Sequence, residues 1–260
     1  MEKHVNIFLD SGAFSAWSKG VKIDIDEYIK FIKEHEDYLE VYAVLDDIND
    51  PAITWKNQLY MEKQGVNPLP CFHYGEDEKW LKRYLKKYEY IALGGMVPIP
   101  NQKLVKWLDE IFSKYICDEK GIPQTKIHGF GLTSIPLMIR YPWYSVDSTS
   151  WVLTGRFGAV YVPKTKNGKR DYLQIPYKIN ISDKSPKVKE AGSHFSNLSK
   201  AEQKYVIEYF SEKGYTPEEL SSEYQKRDEI NIHYFLDLEK FLPPWPQPFK
   251  LKSQKGLGLI

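Results

Sequence analysis

The chain has 260 residues, 42% hydrophobic and 27% charged, and its 36 Lys and Arg against 35 Asp and Glu leave a net charge of +1. That composition excludes disorder, collagen and coiled coil, and at roughly 150 residues per domain the length allows one or two domains. No apolar run approaches the ~18 residues of a membrane span, the first residues enter a strand-like run without a secretory pattern, and Cys71 and Cys117 are too few for a disulfide framework or a four-cysteine metal site, so a cytoplasmic setting is expected.

Short apolar runs alternate with amphipathic stretches over the first two-thirds, the pattern of strands followed by crossover helices. Residues 5–10 predict a strand, and 26–35 a helix with Tyr28, Ile29, Phe31 and Ile32 on one side. Residues 41–45 predict the next strand, and Asp50-Pro51 opens a helix that stops at Gly65. Strand 69–74, a charged helix over 76–87, strand 90–93, helix 102–115, strand 126–131 and a short helix over 135–140 follow. Further strands are expected at 144–147 and 159–162, with an eighth at 172–177. The spacing suits one TIM-type (β/α)8 barrel, complete or missing a part; a doubly wound sheet is the alternative. No repeat of fixed period appears.

After Pro163 the pattern changes. Residues 164–170 and 183–189 are basic, turn-rich segments expected to be loops. Two helices are expected over 199–213 and 216–241, the second opened by Thr216-Pro217-Glu218-Glu219; its carboxylates make it a packing element rather than a major-groove reader. Residues 243–248 form a proline-rich connector. The expected division is therefore a barrel over 1–180 and a helical extension with a proline-rich tail over 181–260.

Barrel active sites gather where strands end. Here those ends carry Asp10-Ser11-Gly12-Ala13-Phe14, Asp46-Asp47, His73-Tyr74-Gly75, Gly94-Gly95-Met96, Gly129-Phe130-Gly131 and Asp147-Ser148. Asp47 reads as a turn former. Asp10 differs, because Ser-Gly-Ala-Phe-Ser after it does not read as a helix start, and an Asp buried there needs a reason. His73 reads equally as a core histidine or a functional one, and Gly94-Gly95 as a sharp turn or a place where backbone meets a planar ligand.

Taken together, these motifs resemble the tRNA-guanine transglycosylase superfamily. Asp10-Ser-Gly-Ala-Phe14 is similar to the family's Asp-Ser-Gly-Gly-Phe, Val44-Leu-Asp46 to the strand whose Asp reads the purine edge, and Ala92-Leu-Gly-Gly-Met96 to its Gly-Gly-Leu loop. His128-Gly-Phe-Gly-Leu132 resembles Met-Gly-Val-Gly, and Tyr144-Ser-Val-Asp147 the strand bearing the nucleophile; His73 stands where the family has Gln. The resemblance spans about residues 5–165. It implies Asp147 as nucleophile, Asp10 as acid and base, and Ser11, Gly12, Phe14, Asp46, His73, Gly94, Gly95 and Met96 as base-binding residues; by position alone, Phe14 or Tyr74 is expected to stack on the base. The chemistry suits two carboxylates around one sugar and calls for no cofactor and no metal.

The family's tRNA enzymes hold zinc with three cysteines and a histidine, which this chain cannot supply. A zinc-free chain resembles the phage and bacterial branch that inserts 7-deazaguanines (preQ0- or preQ1-like) into DNA, with base flipping and phosphate contacts from Arg156, Lys164, Lys166, Lys169 and Arg170. The expected partners are DNA, with tRNA as the alternative, and the free 7-deazaguanine base; oligomeric state is open. The competing expectations are a metal-dependent hydrolase using Asp10, Asp46, His73 and Asp147 and a non-catalytic binding protein on a barrel scaffold.

Overall fold

The computed structural model describes residues 6–132, 134–184 and 194–251. The chain packs as two units. One contains Met1–Leu132, Tyr141–Asp147 and Trp245–Ile260, the other Thr133–Arg140 and Ser148–Pro244. The division thus falls earlier than the expected one at 180, and the proline-rich tail is shared between the units rather than belonging wholly to the helical part.

In the first unit the chain runs β1 (Ile7–Leu9), α1 (Ala13–Ser18), α2 (Ile25–Glu34), β2 (Leu39–Tyr42), α3 (Pro51–Lys63), β3 (Cys71–His73), α4 (Glu78–Leu85), β4 (Tyr90–Gly94), α5 (Asn101–Ile111) and β5 (Lys126–Gly129). A short helix of the second unit, α6 (Ile135–Arg140), precedes β6 (Ser145–Val146). Helix starts follow the local chemistry: Asp24, Asp50 and Asp77 each accept backbone N–H groups of the first turn, and Pro51 sits where no N–H is needed.

The strands β1 to β6 all run parallel in chain order. β1 pairs with β2 and β3 to β6 form one sheet. A parallel bridge from Ala43 to Leu69 joins the two groups, with Val44 N–H donating to the Leu69 carbonyl at 2.9 Å. β3 is buried throughout, and Gly94 and the three residues before it are buried in β4, as befits parallel strands covered on both faces. Phe72, Leu81, Tyr84, Leu93, Leu108, Phe112 and Ile127 are all fully buried in this unit.

The sheet is strongly curled. Laid flat, β1 and β5 would be four strand spacings or roughly 19 Å apart, yet the Phe8 ring stacks on His128 with centroids 4.3 Å apart. No strand pairing closes β6 back onto β1 among the described residues.

The second unit contains α6, α7 (Ser150–Arg156), β7 (Ala159–Val162), β8 (Lys164–Lys166), β9 (Lys169–Asp171), β10 (Tyr177–Asn180), α8 (Lys200–Glu212), α9 (Pro217–Ser222) and α10 (Tyr224–Phe241). β7 pairs antiparallel with β10, unlike the expected parallel seventh and eighth strands. Pro176 lacks an N–H for a ladder, so the strand expected at 172–177 begins only at Tyr177. Val160, Val162, Ile179 and Ile181 pack against Val206, Phe210, Leu220 and Ile230.

The basic segment 164–170 is a hairpin rather than a loop, turned by Asn167 at φ 53° and Gly168 at φ 75°, the left-handed pair that a two-residue turn demands. Residues 185–189 of the second basic segment lie outside the described residues. The long helix expected after Thr216 breaks at Glu223 because Arg227, buried, donates to the carbonyls of Leu220 at 2.6 Å and Ser221 at 3.2 Å, capping α9. Asn231 is fully buried and ties β7 to α10: its Oδ1 accepts from the Tyr161 N–H at 2.9 Å, and its Nδ2 donates to the carbonyls of Trp151 and Ala159.

Candidate active site

The ends of β1, β2, β3, β4 and β6 carry Asp10, Asp46, His73, Gly94-Gly95 and Asp147. All belong to the first unit.

Asp46 is held at both oxygens. The Ser11 hydroxyl donates to Oδ1 at 2.8 Å, and His73 Nε2 lies 2.8 Å from Oδ2. The other ring nitrogen of His73, Nδ1, lies 2.8 Å from Oε1 of Glu76. Burial alone would depress the His73 pKa, but the Cys71 sulfur beside it and the carboxylates of Asp46 and Glu76, one at each ring nitrogen, raise it well above the ordinary value. His73 is therefore an imidazolium, and Glu76, His73, Asp46 and Ser11 form one chain of charge-assisted hydrogen bonds.

Gly94 makes room for this chain. A Cβ there would lie 2.8 Å from His73 Cδ2 and 2.9 Å from the Cys71 sulfur. The Gly94 carbonyl accepts from the Tyr74 N–H at 3.0 Å, so the residue serves close packing before any ligand arrives. Gly95, at φ 66°, turns the chain outward and is exposed. The Met96 side chain is buried and belongs to the core rather than to an open surface.

Asp10 is open at its edge, yet burial of its carboxyl and then the charge of Asp46 raise its pKa, against the N–H groups of Gly12 and Ser11. Asp147 is also partly open, its side chain 45% exposed. Burial raises its pKa, the Gly131 N–H donating at 2.5 Å to Oδ1 opposes this, and the charge of Asp10 raises it further. The charge of Asp46 thus raises Asp10 and that of Asp10 raises Asp147, the arrangement in which like charges favour a bound proton.

Beneath Asp147 lies His128, 2% exposed, with Phe8 stacked at 4.3 Å and Phe130 edge-on at 4.6 Å. Burial pushes its pKa down to about 3, so the ring is neutral. Its Nδ1 meets the Ser145 hydroxyl at 2.7 Å, which in turn meets the Tyr90 hydroxyl at 2.6 Å. Its Nε2 is buried, has no hydrogen-bond partner among the described residues and lies 3.9 Å from Oδ1 of Asp147.

The structure changes several expectations. The segment after Asp10 does start a helix: Gly12 at φ 72° precedes α1, and Ser11 Oγ accepts the Ala13 N–H at 3.2 Å. Phe14 is exposed on that helix beside Trp17, centroids 5.9 Å apart, while Tyr74 packs edge-on against Trp107. Asp47 is a turn former, accepting from the N–H groups of Asn49 and Asp50.

The basic residues sit in the second unit. Arg156, Lys166 and Lys169 are exposed, and Lys164 lies over the Tyr177 ring. Arg170 is not a free phosphate contact: it grips Glu212 at 2.9 and 3.3 Å and stacks on Tyr205.

A metal could be held by Asp46, Cys71 and His73, whose donor atoms lie within 4.8 Å of one another. Their chemistry fits protons better. Burial pushes the Cys71 thiol up to about 11, and two carboxylates keep His73 protonated, whereas a metal needs thiolate and neutral imidazole. Nor is this the expected ligand set, since Asp10 and Asp147 are not in it.

Glu76 and His128 escaped the sequence reading. Glu76 reads as the start of a charged helix, although its spacing of three from His73 across a tight Gly75 turn is a usable signal; His128 sits inside a quoted motif with nothing to show that its ring faces Asp147.

Compared with known proteins, the chain matches no family model, no curated protein and no solved structure.

Proposed function

We propose that the first unit is a barrel-type transglycosylase that exchanges guanine in DNA for a 7-deazaguanine base through a covalent glycosyl-aspartate. The observation that carries the reading is that Asp10, Asp46 and Asp147, at the ends of β1, β2 and β6, lie within electrostatic reach of one another in the order Asp46, Asp10, Asp147, with the pKa of both Asp10 and Asp147 raised. Such a pair suits base exchange at a sugar carbon, where one carboxylate attacks and the other moves a proton.

Asp147 attacks C1′ of the flipped nucleoside as the C1′–N9 bond breaks, and Asp10 gives its proton to the departing guanine. The incoming base then returns a proton to Asp10 and attacks C1′, releasing Asp147. Asp46, fixed by Ser11 and His73, keeps lone pairs on both oxygens to accept the purine N–H donors. The His73 imidazolium holds Asp46 Oδ2 from 2.8 Å, so the acceptor is fixed in place before the base arrives. Lys166 and Lys169, exposed on the hairpin of the second unit, are available to DNA phosphates.

The test is release of labelled guanine from duplex DNA and, separately, from tRNA, in the presence of free 7-deazaguanine bases, with and without chelator. Release from DNA that survives chelation supports the proposal. Release from tRNA alone moves the substrate; activity lost to chelator and retained in Asp147→Ala favours a metal-dependent hydrolase at Asp46, Cys71 and His73.

A further inference from the structure

The neutral, sandwiched His128 has a buried Nε2 without a partner, aimed at the carboxylate that the base-exchange reading makes the nucleophile. A buried polar atom left unsatisfied is costly and calls for an explanation. Its surroundings assign its tautomer. A lone pair at Nε2 facing an ionised Asp147 would be repelled, so Nε2 carries the proton and Nδ1 accepts from the Ser145 hydroxyl at 2.7 Å. Ser145 Oγ in turn accepts from the Tyr90 hydroxyl at 2.6 Å. Donors thus run in one direction, from Tyr90 through Ser145 and His128 toward Oδ1 of Asp147.

The same oxygen already accepts the Gly131 N–H. The two oxygens of Asp147 are therefore unequal: Oδ1 faces two donors and Oδ2 is left for the reaction. We propose that His128 is a positioning residue for Asp147, its Nε2–H acting with the Gly131 N–H to hold Oδ1, direct Oδ2 at the sugar and receive the charge that returns to the carboxylate when the glycosyl ester breaks. This rests on the base-exchange reading.

The electron count fixes which half-reaction His128 serves. In the first half the Oδ2 lone pair forms the bond to C1′ while the C1′–N9 pair leaves with guanine, which takes its proton from Asp10. In the second half the N9 pair of the incoming base forms the new bond, its proton goes to Asp10, and the C1′–Oδ2 pair returns to Asp147. A donor at Oδ1 stabilises the charged carboxylate more than the ester, so it makes Asp147 a better leaving group. The ring does this without neutralising Asp147, because Phe8 and Phe130 exclude water and keep it uncharged. The resting separation of 3.9 Å exceeds a hydrogen bond, and such catalytic contacts commonly tighten only in the loaded enzyme.

The experiment uses the full chain, duplex DNA with labelled guanine and a free 7-deazaguanine base, and follows both exchange and the protein–DNA adduct by mass. His128→Phe keeps the aromatic stack and removes the donor; it should slow exchange about 100-fold, as loss of one donor to a developing charge does, leave KM little changed, and raise the fraction of enzyme held as adduct. His128→Gln restores an N–H near Nε2 and should recover much of the rate. Should His128→Phe fail to fold, Ser145→Ala, which leaves the ring in place and frees its tautomer, must prolong the adduct. Unchanged adduct lifetime in these variants, or His128→Gln as slow as His128→Phe, overturns the role of His128 alone. No adduct at Asp147 in the unaltered enzyme overturns the base-exchange reading and this role with it.

Discussion

Replacing Glu76 by Gln keeps the shape of the side chain and removes the charge behind His73. Both side chains are largely buried, 9% and 8% exposed, with 2.8 Å between Oε1 and Nδ1. At an effective dielectric of about 20 that attraction is roughly 6 kcal/mol, and repulsion from Asp46 across the ring, at roughly 7 Å, takes back about 2 kcal/mol. Desolvating Glu76 takes back roughly 2 kcal/mol more, so the variant should lose about 2 kcal/mol of stability. The pH dependence has a definite sign. His73 has a folded pKa raised above its unfolded value, so its contribution is full below about pH 6.5 and falls by ~1.4 kcal/mol per pH unit as pH climbs toward the folded value. Gln at position 76 lowers that folded value; the stability gap between variant and wild type should be constant at low pH and shrink once pH passes the variant's His73 pKa. Urea unfolding at intervals from about pH 5 to about pH 9 measures both curves. Equal stability of the two proteins across that range would refute the charged chain from Glu76 to Asp46.

Four further outcomes are expected. Gly94→Ala places a methyl 2.8 Å from the His73 ring and should cost about 1–3 kcal/mol by denaturant unfolding, with weakened base exchange because His73 is pushed off Asp46. Asn231→Leu leaves the Tyr161 N–H of β7 without its acceptor and should cost about 1–3 kcal/mol, read as a lower unfolding midpoint. Lys166→Glu with Lys169→Glu should weaken DNA binding and flatten its salt dependence, whereas Arg170→Ala, which breaks the grip on Glu212, should lower thermal stability and leave the salt slope of DNA binding unaltered.

Local chemistry made several helix starts in both units legible. Asp50-Pro51 announces α3 because an acceptor and a fixed φ are both what a helix start needs, and the Ser199 and Thr216 capping boxes likewise mark α8 and α9. The strand-end list also held Asp10, Asp46, His73 and Asp147, since alternating strands and helices bring such ends together. Pairing direction was not legible: nothing in Ala159–Val162 says that its partner is antiparallel, and β10 is set by where Pro176 ends the previous stretch and by the isoleucines that meet Val160 and Val162. Partner choice was equally hidden. Arg170 reads as one more cation in a basic run, and only the approach of Glu212 and Tyr205 from α8 makes it a latch. Gly12 misled because Ser11 in front of it serves two tasks, capping the start of α1 and holding Asp46.

Whether Asp147 carries the sugar during base exchange is decided by stopping the protein on duplex DNA in the absence of an incoming base and locating any covalent link by peptide mass. A nucleotide attached to Asp147, with an equivalent of guanine released, is expected, and neither in Asp147→Ala. Guanine released at the wild-type rate by Asp147→Ala, or a link at another residue, would contradict that role of Asp147.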